Sequence, residues 1–222
     1  DTLKGMVAEK RKAGISLTTL GVGTGNYNER LMEQLADAGD GNYSYIDNPN
    51  EAKKVLQRQL SSTLATVAQD VKIQVEFNPA TVKEYRLVGY ENRLLKQEDF
   101  NNDNIDAGDI GAGHSVTALY EIIPAGQPGW LGESRYRPAA PAADSKAGEY
   151  AHVNLRYKLP GKSSSILISQ PVAANSKPLA QANADTRFAI AVAAYGQQLR
   201  GGQYNGKMGW SDIIRLARQA DK

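Results

Sequence analysis

Hydrophobic positions in the first 66 residues alternate between helical and strand-like spacing. The first segment places Leu3, Met6 and Val7 on one helical face and is expected to end at Gly14, because glycine readily adopts the left-handed conformation that closes helices. Residues 15–22, ISLTTLGV, form an apolar and β-branched run that is typical of a strand covered on both faces. This alternation predicts a parallel sheet with crossover helices.

Three more elements continue the same pattern. A helix capped by Asn28 is predicted to end at Gly39 or Gly41. A short strand is predicted over residues 42–46, and a helix with apolar residues at helical spacing is predicted over residues 49–67. Two parallel strands make too small a sheet to be stable alone, so we expect earlier strands of the same sheet to precede this sequence.

From about residue 71 the hydrophobic spacing changes to two. Val71, Ile73, Val75 and Phe77 alternate with polar residues, which predicts a strand that buries these four side chains and turns Lys72 toward water. Several such strands with polar, glycine-rich connections predict an antiparallel sandwich. The further strands are predicted over residues 81–90, 115–123, 150–159 and 164–170.

The C-terminal part returns to helical spacing after a Pro- and Ala-rich surface excursion over residues 129–148. One helix carries an apolar stripe and is predicted to end at the glycines of positions 201–202, and a last helix is predicted to be capped by Ser211. The stripe consists of Phe188, Val192, Tyr195 and Leu199.

Together these patterns predict an α+β chain in three parts. Residues 1–66 are the end of a Rossmann-like α/β domain, residues 67–172 form an antiparallel β-sandwich-like module, and residues 173–222 form a helical segment that packs on it. The sequence starts at Asp1 rather than methionine, and the last helix has no stop signal before Lys222. We therefore expect the sequence to be a piece of a longer protein.

Composition excludes several classes of function. The absence of cysteine excludes disulfides, thiolate catalysis and cysteine-based metal sites, and the two histidines, His114 and His152, weigh against a histidine-rich metal centre. A formal charge of +2 gives no bulk electrostatic reason to expect nucleic acid or an anionic membrane. The sequence contains no run of about 18 apolar residues, so it predicts no membrane-spanning helix.

The glycine-rich turn over residues 21–26, GVGTGN, offers one enzymatic alternative. It follows a strand, precedes a helix and has Asp47 at the end of the next strand, which is the layout of a dinucleotide site. The motif departs from that pattern at Asn26, where the third glycine would stand, so we favour an ordinary turn. A nucleotide-binding enzyme that uses the turn from Gly21 to Gly25 remains the alternative.

The remaining polar residues include candidates for metal binding and acid–base catalysis. Residues 99–106 superficially resemble a calcium loop but lack its sixth-position glycine and terminal glutamate, so we interpret the acidic loops as solvated turns. His114 lies next to Ser115, and His152 lies on the polar side of a strand, positions typical of hydrogen-bonding or surface histidines. The aspartates that could supply oxygen ligands to a divalent cation are Asp40, Asp47, Asp99, Asp103, Asp106 and Asp109.

Aromatic and basic residues are also interleaved. Stacking platforms for single-stranded nucleic acid use such pairs, but two-faced sheets place tyrosine and arginine in the same way for packing alone. A basic group near the N-terminus is interpreted as the solvated face of the first helix. The interleaved residues are Tyr85, Tyr90, Tyr120, Tyr136 and Trp130 with Arg86, Arg93, Arg135 and Arg137, and the basic group is Lys4, Lys10, Arg11 and Lys12.

Longer motifs carry a resemblance to known families. The stretches ISLTTLGVGTGNYN (15–28) and LMEQLADAGDGNYSYID (31–47) resemble the closing third of a von Willebrand factor type A domain. Four later stretches resemble the C-terminal region of the bacterial YfbK-like proteins, and this second set of motifs is the more specific. They are DVKIQVEFNP (70–79), YRLVGYENR (85–93), DAGDIGAGHSVTALYE (106–121) and FAIAVAAYG (188–196).

The resemblance implies a non-enzymatic interaction or scaffolding module of a bacterial cell-envelope protein, outside the cytoplasm. Type A domains hold a divalent cation through an Asp-x-Ser-x-Ser loop with a Thr and an Asp from later loops, and this sequence has no such loop. A cation is therefore expected only in a preceding part of the domain. We predict no catalytic, cofactor-binding or metal residue here; the expected partner is a protein, without nucleic acid or membrane insertion.

Overall fold

The computed structural model describes residues 2–23, 25, 27–58, 65–89, 94–105, 107–131 and 148–220. This part of the chain combines helices and strands and belongs to the α+β class, as predicted. The α-helices are α1 (Thr2–Lys12), α2 (Glu29–Ala38), α3 (Pro49–Lys53), α4 (Ala184–Leu199) and α5 (Trp210–Arg218). The strands are β1 (Thr19–Val22), β2 (Tyr43–Ile46), β3 (Thr66–Phe77), β4 (Val82–Val88), β5 (Gly108–Gly111), β6 (Leu119–Pro124), β7 (Glu149–Lys158) and β8 (Ile166–Ala173).

The strands of the described residues form three sheets. β1 and β2 are parallel, with Thr19 opposite Tyr43, which confirms the parallel arrangement expected from the alternating elements. The largest sheet has the order β5-β3-β7-β8, and β4 pairs with β6 in antiparallel orientation. The sandwich-like packing predicted for the β module stays a prediction.

The chain divides into two compact units that interleave along the sequence. Unit 1 comprises residues 1–74, 95–115 and 155–168, and unit 2 comprises residues 75–94, 116–154 and 169–222. Three strands, β3, β7 and β8, contribute residues to both units. The three domain boundaries proposed from the sequence remain predictions.

Helix α2 and the turn after it in unit 1 follow local signals. The Asn28 side chain accepts a hydrogen bond from the Leu31 amide at 3.0 Å, which confirms the predicted cap. The helix ends before Gly39, also as predicted. Two residues later, a Cβ on Gly41 would overlap the backbone carbonyl of Leu17, so the close approach of the two chain segments requires glycine.

The helix predicted over residues 49–67 is wrong at its C-terminal end. Helix α3 has five residues and continues as a π-helical turn over Lys54–Arg58, whereas β3 already begins at Thr66. Val67 therefore lies in a strand rather than on an apolar helix face. β-Branched residues such as Thr66 and Val67 favour extended backbone, and pairing of Thr66 with Gly111 of β5 stabilises it.

Other strand boundaries also differ from the predicted ones. β1 is shorter than the predicted strand over residues 15–22, and β6 begins four residues after the predicted start at 115. β5 is not predicted by the sequence, because its residues, GDIG, are few and include aspartate and glycine, which have weak strand preference.

The burial pattern of β3 is the reverse of the predicted one around Lys72. Lys72 is only 4% exposed and Ile73 is 50% exposed. The register of β3 against β5 is irregular between Ala68 and Val71, which disturbs the simple alternation. The Lys72 ammonium donates to the carbonyl oxygen of Asn102 and, at 3.4 Å, to that of Asp99, and these bonds offset the cost of burying the charge.

The two C-terminal helices of unit 2 pack together mainly through small and branched residues. α4 buries Ala191 and Ala194, and α5 buries Ile213 and Leu216. The apolar stripe that predicted α4 is instead about half exposed. Helix α4 does end at the predicted glycines: Gly202 has a φ of 68° and donates from its amide to the Gln197 carbonyl at 2.9 Å.

The start of α5 differs from the prediction. Ser211 lies inside the first turn, and the cap position is Gly209. The Asp212 carboxylate accepts a hydrogen bond from the Gly209 amide at 3.2 Å. Asp212 therefore supplies the local side-chain bond that the sequence assigns to Ser211.

Candidate protein-interaction surface

Arg86 is the centre of an aromatic cluster on unit 2. It lies on β4 directly opposite Glu121 of β6, and its guanidinium forms an ion pair with the Glu121 carboxylate at 2.6 Å. The guanidinium carbon lies 3.9 Å from the ring centre of Tyr204 and 5.8 Å from that of Trp130. Arg86 is thus held both by charge and by cation–π contacts. We call Arg86, Trp130 and Tyr204 the Arg–aromatic cluster.

Glu84 fixes the position of Trp130. Its carboxylate accepts hydrogen bonds from the amides of Trp130 at 2.7 Å and Leu131 at 3.3 Å. Glu84 is buried, although it is charged. A Cβ on Gly129 would overlap the Glu84 carboxylate, so glycine at 129 lets the backbone approach closely enough for these bonds.

Tyr204 reaches the cluster from the loop between α4 and α5. The next residue, Asn205, anchors that loop on α4, because its side-chain amide donates to the Ala194 carbonyl at 2.8 Å and to the Gln198 side chain at 3.0 Å. The Tyr204 and Trp130 side chains are each 46% exposed. The cluster therefore presents two restrained aromatic rings to the surface.

Two carboxylates beside the Arg–aromatic cluster already have partners. Glu84 accepts from backbone amides, and Glu121 pairs with Arg86. The remaining exposed groups offer stacking faces and hydrogen bonds. Such residues contribute strongly to protein interfaces, where Trp, Tyr and Arg are enriched among the energetically important contacts.

Tyrosines contact the glycine-rich turn of unit 1 at Gly21 and Gly23. A Cβ on Gly21 would overlap the ring of Tyr27, and the Tyr27 hydroxyl bonds that of Tyr43 at 2.6 Å. The Tyr45 hydroxyl donates to the Gly23 carbonyl at 2.5 Å. Burial, followed by the hydrogen bond with Tyr27, raises the pKa of Tyr43 above its ordinary value. These contacts explain Gly21 by aromatic packing, without a phosphate.

The aspartates considered as metal ligands have other contacts. Asp40 pairs with Arg11 at 3.3 Å, Asp47 accepts from the Asn48 side chain at 2.5 Å, and Asp109 accepts from the Asp70 amide at 3.2 Å. The carbonyl of Asp99 accepts from Lys72, as described above, and Asp106 lies outside the described residues. In the described part of the chain no three His, Asp or Glu side chains converge as metal ligands.

Asp103 belongs to a polar cluster that holds residues 99–103 on the strands of unit 1. It pairs with Arg156 at 3.2 Å and accepts from the Ser165 amide at 3.4 Å. The side-chain hydrogen bond from Ser165 is the main cause of a lowered pKa of Asp103. Burial opposes it, and the backbone bond from Ser165 and the charge of Arg156 add to the lowering. Nearby, Asp70 pairs with Lys158 at 2.6 Å. These charges satisfy one another, which indicates a structural role.

The basic N-terminal group and His114 belong to unit 1, and His152 belongs to unit 2. His114 is exposed in the turn after β5, and His152 lies half-buried in β7. Helix α1 is only partly solvated on its basic side, because Lys4 donates to the Gln34 side chain at 2.6 Å and Arg11 reaches Asp40. Lys10 and Lys12 are exposed, as predicted.

The interleaved aromatic and basic residues are only partly informative. Tyr85 stacks on Phe77 with ring centres 4.2 Å apart, and Phe77 meets Tyr120 edge-on at 5.2 Å. Burial, followed by the proximity of Tyr85, raises the pKa of Tyr120. Sequence reasoning named Arg86 and Trp130 but missed Tyr204 and Glu84, which are brought in by a loop and by a buried strand position. Tyr90, Arg93, Arg135, Tyr136 and Arg137 lie outside the described residues.

Comparison with known proteins identifies the family. Residues 62–222 match the family described as "Uncharacterized protein YfbK, C-terminal". The chain is a member of the YfbK family. It is 47% identical over 220 residues to the uncharacterized YfbK protein of Escherichia coli K12, an alignment that covers 99% of this chain and 38% of the relative. The predicted YfbK-like membership is confirmed, and the chain spans about two fifths of the length of this relative.

Two solved structures resemble this YfbK family member weakly. One is the ArnB paralog VWA2 from Sulfolobus acidocaldarius, with 15% identity and a TM-score of 0.36 over 93% of this chain and 46% of that one. The other is a von Willebrand factor type A protein from Catenulispora acidiphila, with 15% identity and a TM-score of 0.40 over 96% of this chain and 51% of that one. Since both scores lie below 0.5, the family assignment rests on the sequence matches.

No helix in the described residues is long and apolar enough to cross a membrane.

Proposed function

We propose that this chain is a non-enzymatic protein-interaction module that contacts its partner through the Arg–aromatic cluster. The observation that carries the proposal is the contact of two half-exposed aromatic residues of unit 2, Trp130 and Tyr204, with the partly buried guanidinium of Arg86. These are the three residue types that dominate binding energy in protein interfaces.

Preorganisation strengthens this interpretation. Arg86 is fixed by Glu121, and Trp130 is fixed through its backbone by Glu84. A partner that covers these side chains therefore loses less conformational entropy than it would with freely rotating ones. The exposed halves of the two rings provide apolar area, and Arg86, paired with Glu121, holds the rings in place.

The nucleotide-binding alternative has less support. Tyr27 occupies the space beside Gly21, and Tyr45 bonds the carbonyl of Gly23. A single-strand nucleic-acid platform is also less favoured, because the guanidinium of Arg86 is neutralised by Glu121. No metal or cofactor is part of the proposed function.

The test is crosslinking followed by a binding titration. A photo-crosslinking amino acid replaces Tyr204 in the full-length protein in its own bacterium, and the control replaces Tyr85, an exposed tyrosine stacked on Phe77 instead of Arg86. We expect a partner protein to crosslink at position 204 and not at 85.

The purified partner is then titrated against variants. Trp130→Ala is expected to weaken binding by a factor of about 30, equivalent to about 2 kcal/mol, and Arg86→Lys should also weaken it because lysine keeps the charge but loses the planar stack. Tyr85→Ala should change affinity less than about twofold. Equal losses in all three variants would contradict the proposed surface.

A thermal-shift measurement separates the enzymatic alternative. We expect no change of the unfolding temperature with ATP, NAD or magnesium, whereas a rise of several degrees with ATP or NAD would favour the nucleotide site. Binding to a single-stranded oligonucleotide that disappears at high salt would favour the nucleic-acid alternative.

The cell-envelope setting is part of the same proposal and rests on the resemblance of the sequence alone. Fractionation of the producing bacterium, with antibody detection of the full-length protein, tests it. Recovery in the cytoplasmic fraction would contradict an extracytoplasmic location and leave the interaction surface to be judged by the titration.

A further inference from the structure

Helix α4 is uncharged over most of its length. Residues 188–199 contain no charged side chain over three turns of helix. One side of the helix packs on α5 through Ala191 and Ala194. The apolar stripe of an amphipathic helix normally packs against another surface, so the exposed apolar side of α4 calls for a covering surface.

The exposed side forms one continuous patch with α5. The stripe residues of α4 recur at intervals of four, three and four, which places them on one helical face. Tyr195 of the stripe meets Trp210 of α5 edge-on, with ring centres 5.8 Å apart, and Ile214 lies one turn further along α5. The α4 patch comprises Phe188, Val192, Tyr195, Leu199, Trp210 and Ile214, each between 46% and 64% exposed.

We propose that the α4 patch is the interface of a twofold-symmetric dimer in which α4 packs antiparallel to α4 of a second copy. The spacing of the stripe is the same in both directions along α4. A twofold axis between Ala193 and Ala194 therefore places each stripe residue of one copy opposite a stripe residue of the second copy. Phe188 opposes Leu199 of the second copy, and Val192 opposes Tyr195 of the second copy. Each pair joins an aromatic and an aliphatic side chain, as a self-complementary interface requires.

The available area suits a dimer of moderate strength. Half of the roughly 150–250 Å² that an aromatic side chain can bury is about 100 Å², so six side chains, three of them smaller and aliphatic, supply at most about 600 Å² per copy. Two copies then bury at most about 1,200 Å², which is the lower limit for specific interfaces. An apolar cleft of about 360 Å³ beside Val192, lined also by Val88 and Leu119, adds surface to the same side of α4.

The α4 patch is distinct from the Arg–aromatic cluster, so the two proposals can fail separately. The first test is sedimentation of the full-length protein that contains this chain, over a range of concentrations. We expect a monomer–dimer equilibrium that Val192→Glu weakens at least tenfold, because a carboxylate would be buried in the interface. The matched control, Met6→Glu, changes an apolar residue that is 59% exposed on α1 and should leave the equilibrium unchanged.

A chain that stays monomeric at all concentrations would overturn the proposal, and so would a dimer that is insensitive to Val192→Glu or equally sensitive to Met6→Glu. Circular dichroism of each variant verifies that the fold is retained. If Val192→Glu fails to fold, the crosslinking test below decides alone.

Single cysteine substitutions test the direction of the helices, because the chain has no cysteine of its own. Positions 188 and 199 are about 16.5 Å apart along a helix. In the antiparallel dimer the two copies of position 188 are therefore also about 16.5 Å apart, whereas position 188 of one copy lies beside position 199 of the other. A disulfide needs Cα atoms within about 7 Å. A mixture of Phe188→Cys and Leu199→Cys chains should therefore form mixed disulfide dimers under mild oxidation, while either variant alone should not. Disulfide dimers of the Phe188→Cys variant alone, or no mixed disulfide at all, would contradict the antiparallel dimer.

Discussion

Removing the charge of Asp70 should measurably destabilise unit 1. The Asp70 carboxylate pairs with Lys158 at 2.6 Å and accepts a hydrogen bond from the Ala107 amide at 3.1 Å. The side chains of Asp70 and Lys158 are 20% and 13% exposed. Asp70→Asn keeps an oxygen for Ala107 and tolerates the φ of 50° found at this position, so the substitution isolates the loss of charge.

The expected loss follows from the burial of the ammonium of Lys158. Without Asp70 it retains the bond to the carbonyl of Asp103 at 2.6 Å and little solvent. Breaking a fully buried pair costs about 3–5 kcal/mol, and the partial exposure of both partners reduces this to about 1–3 kcal/mol. Asp70→Ala should cost about 2 kcal/mol more, because it also removes the bond to Ala107 and places alanine, which has no polar side chain to compensate, in the left-handed region.

The assay is urea unfolding followed by far-ultraviolet circular dichroism at neutral pH, in a double-mutant cycle with Lys158→Met. We expect a coupling free energy of about 1–2 kcal/mol between positions 70 and 158. Added salt should change it little, because partly buried pairs are weakly screened. A coupling near zero, or an Asp70→Asn variant as stable as the wild type, would refute the assignment of this pair as a stabilising contact.

Two further predictions concern the same unit. Gly41→Ala should lower the free energy of unfolding by about 2–4 kcal/mol, because its Cβ overlaps the carbonyl of Leu17. Gly5→Ala, which has open space in α1, should raise the free energy of unfolding by up to about 1 kcal/mol. Thermal unfolding measures both changes, and similar effects of the two would contradict the close approach at Gly41. Asp103 has a folded pKa below its ordinary 3.8, so it contributes stability above that pH, which is lost as the pH falls through the folded value. Ser165→Ala removes the main cause of the lowered pKa of Asp103. The pKa of Asp103, measured by carbon NMR of its carboxyl, should therefore rise, and acid unfolding should begin at a higher pH. An unchanged pKa would argue against this cause.

Local signals predicted the parts of the fold that local contacts determine. The cap at Asn28 and the helix-ending glycines after α4 depend on bonds within a few residues, and both were confirmed. The helix over residues 49–67 failed because Val67 fits helical spacing and strand preference equally well, and pairing of β3 with β5 decides between them. The spacing of apolar residues does not show whether a segment pairs with a distant strand.

The buried side of β3 could not be predicted for a related reason. An alternating pattern assumes an unbroken ladder, and the irregular register before Val71 changes which residues the sheet covers. The carbonyl groups that accept from Lys72 come from a loop about thirty residues later. A lysine with such acceptors is tolerated inside, and its residue type alone does not reveal them.

The candidate site shows the same limit. Arg86 and Trp130 attracted notice because aromatic and basic residues recur in that part of the sequence. Tyr204 joins them only through the loop that Asn205 anchors on α4. Glu84 occupies an alternating strand position that predicts nothing about its bonds to the Trp130 amide.

The distribution of the tryptophans has a practical consequence. The sequence contains two, Trp130 and Trp210, and both belong to unit 2. Tryptophan fluorescence therefore reports on unit 2, while unit 1 contributes only tyrosine fluorescence. Comparing emission with circular dichroism, which observes the backbone of both units, would show whether they unfold together or in sequence, without any added probe.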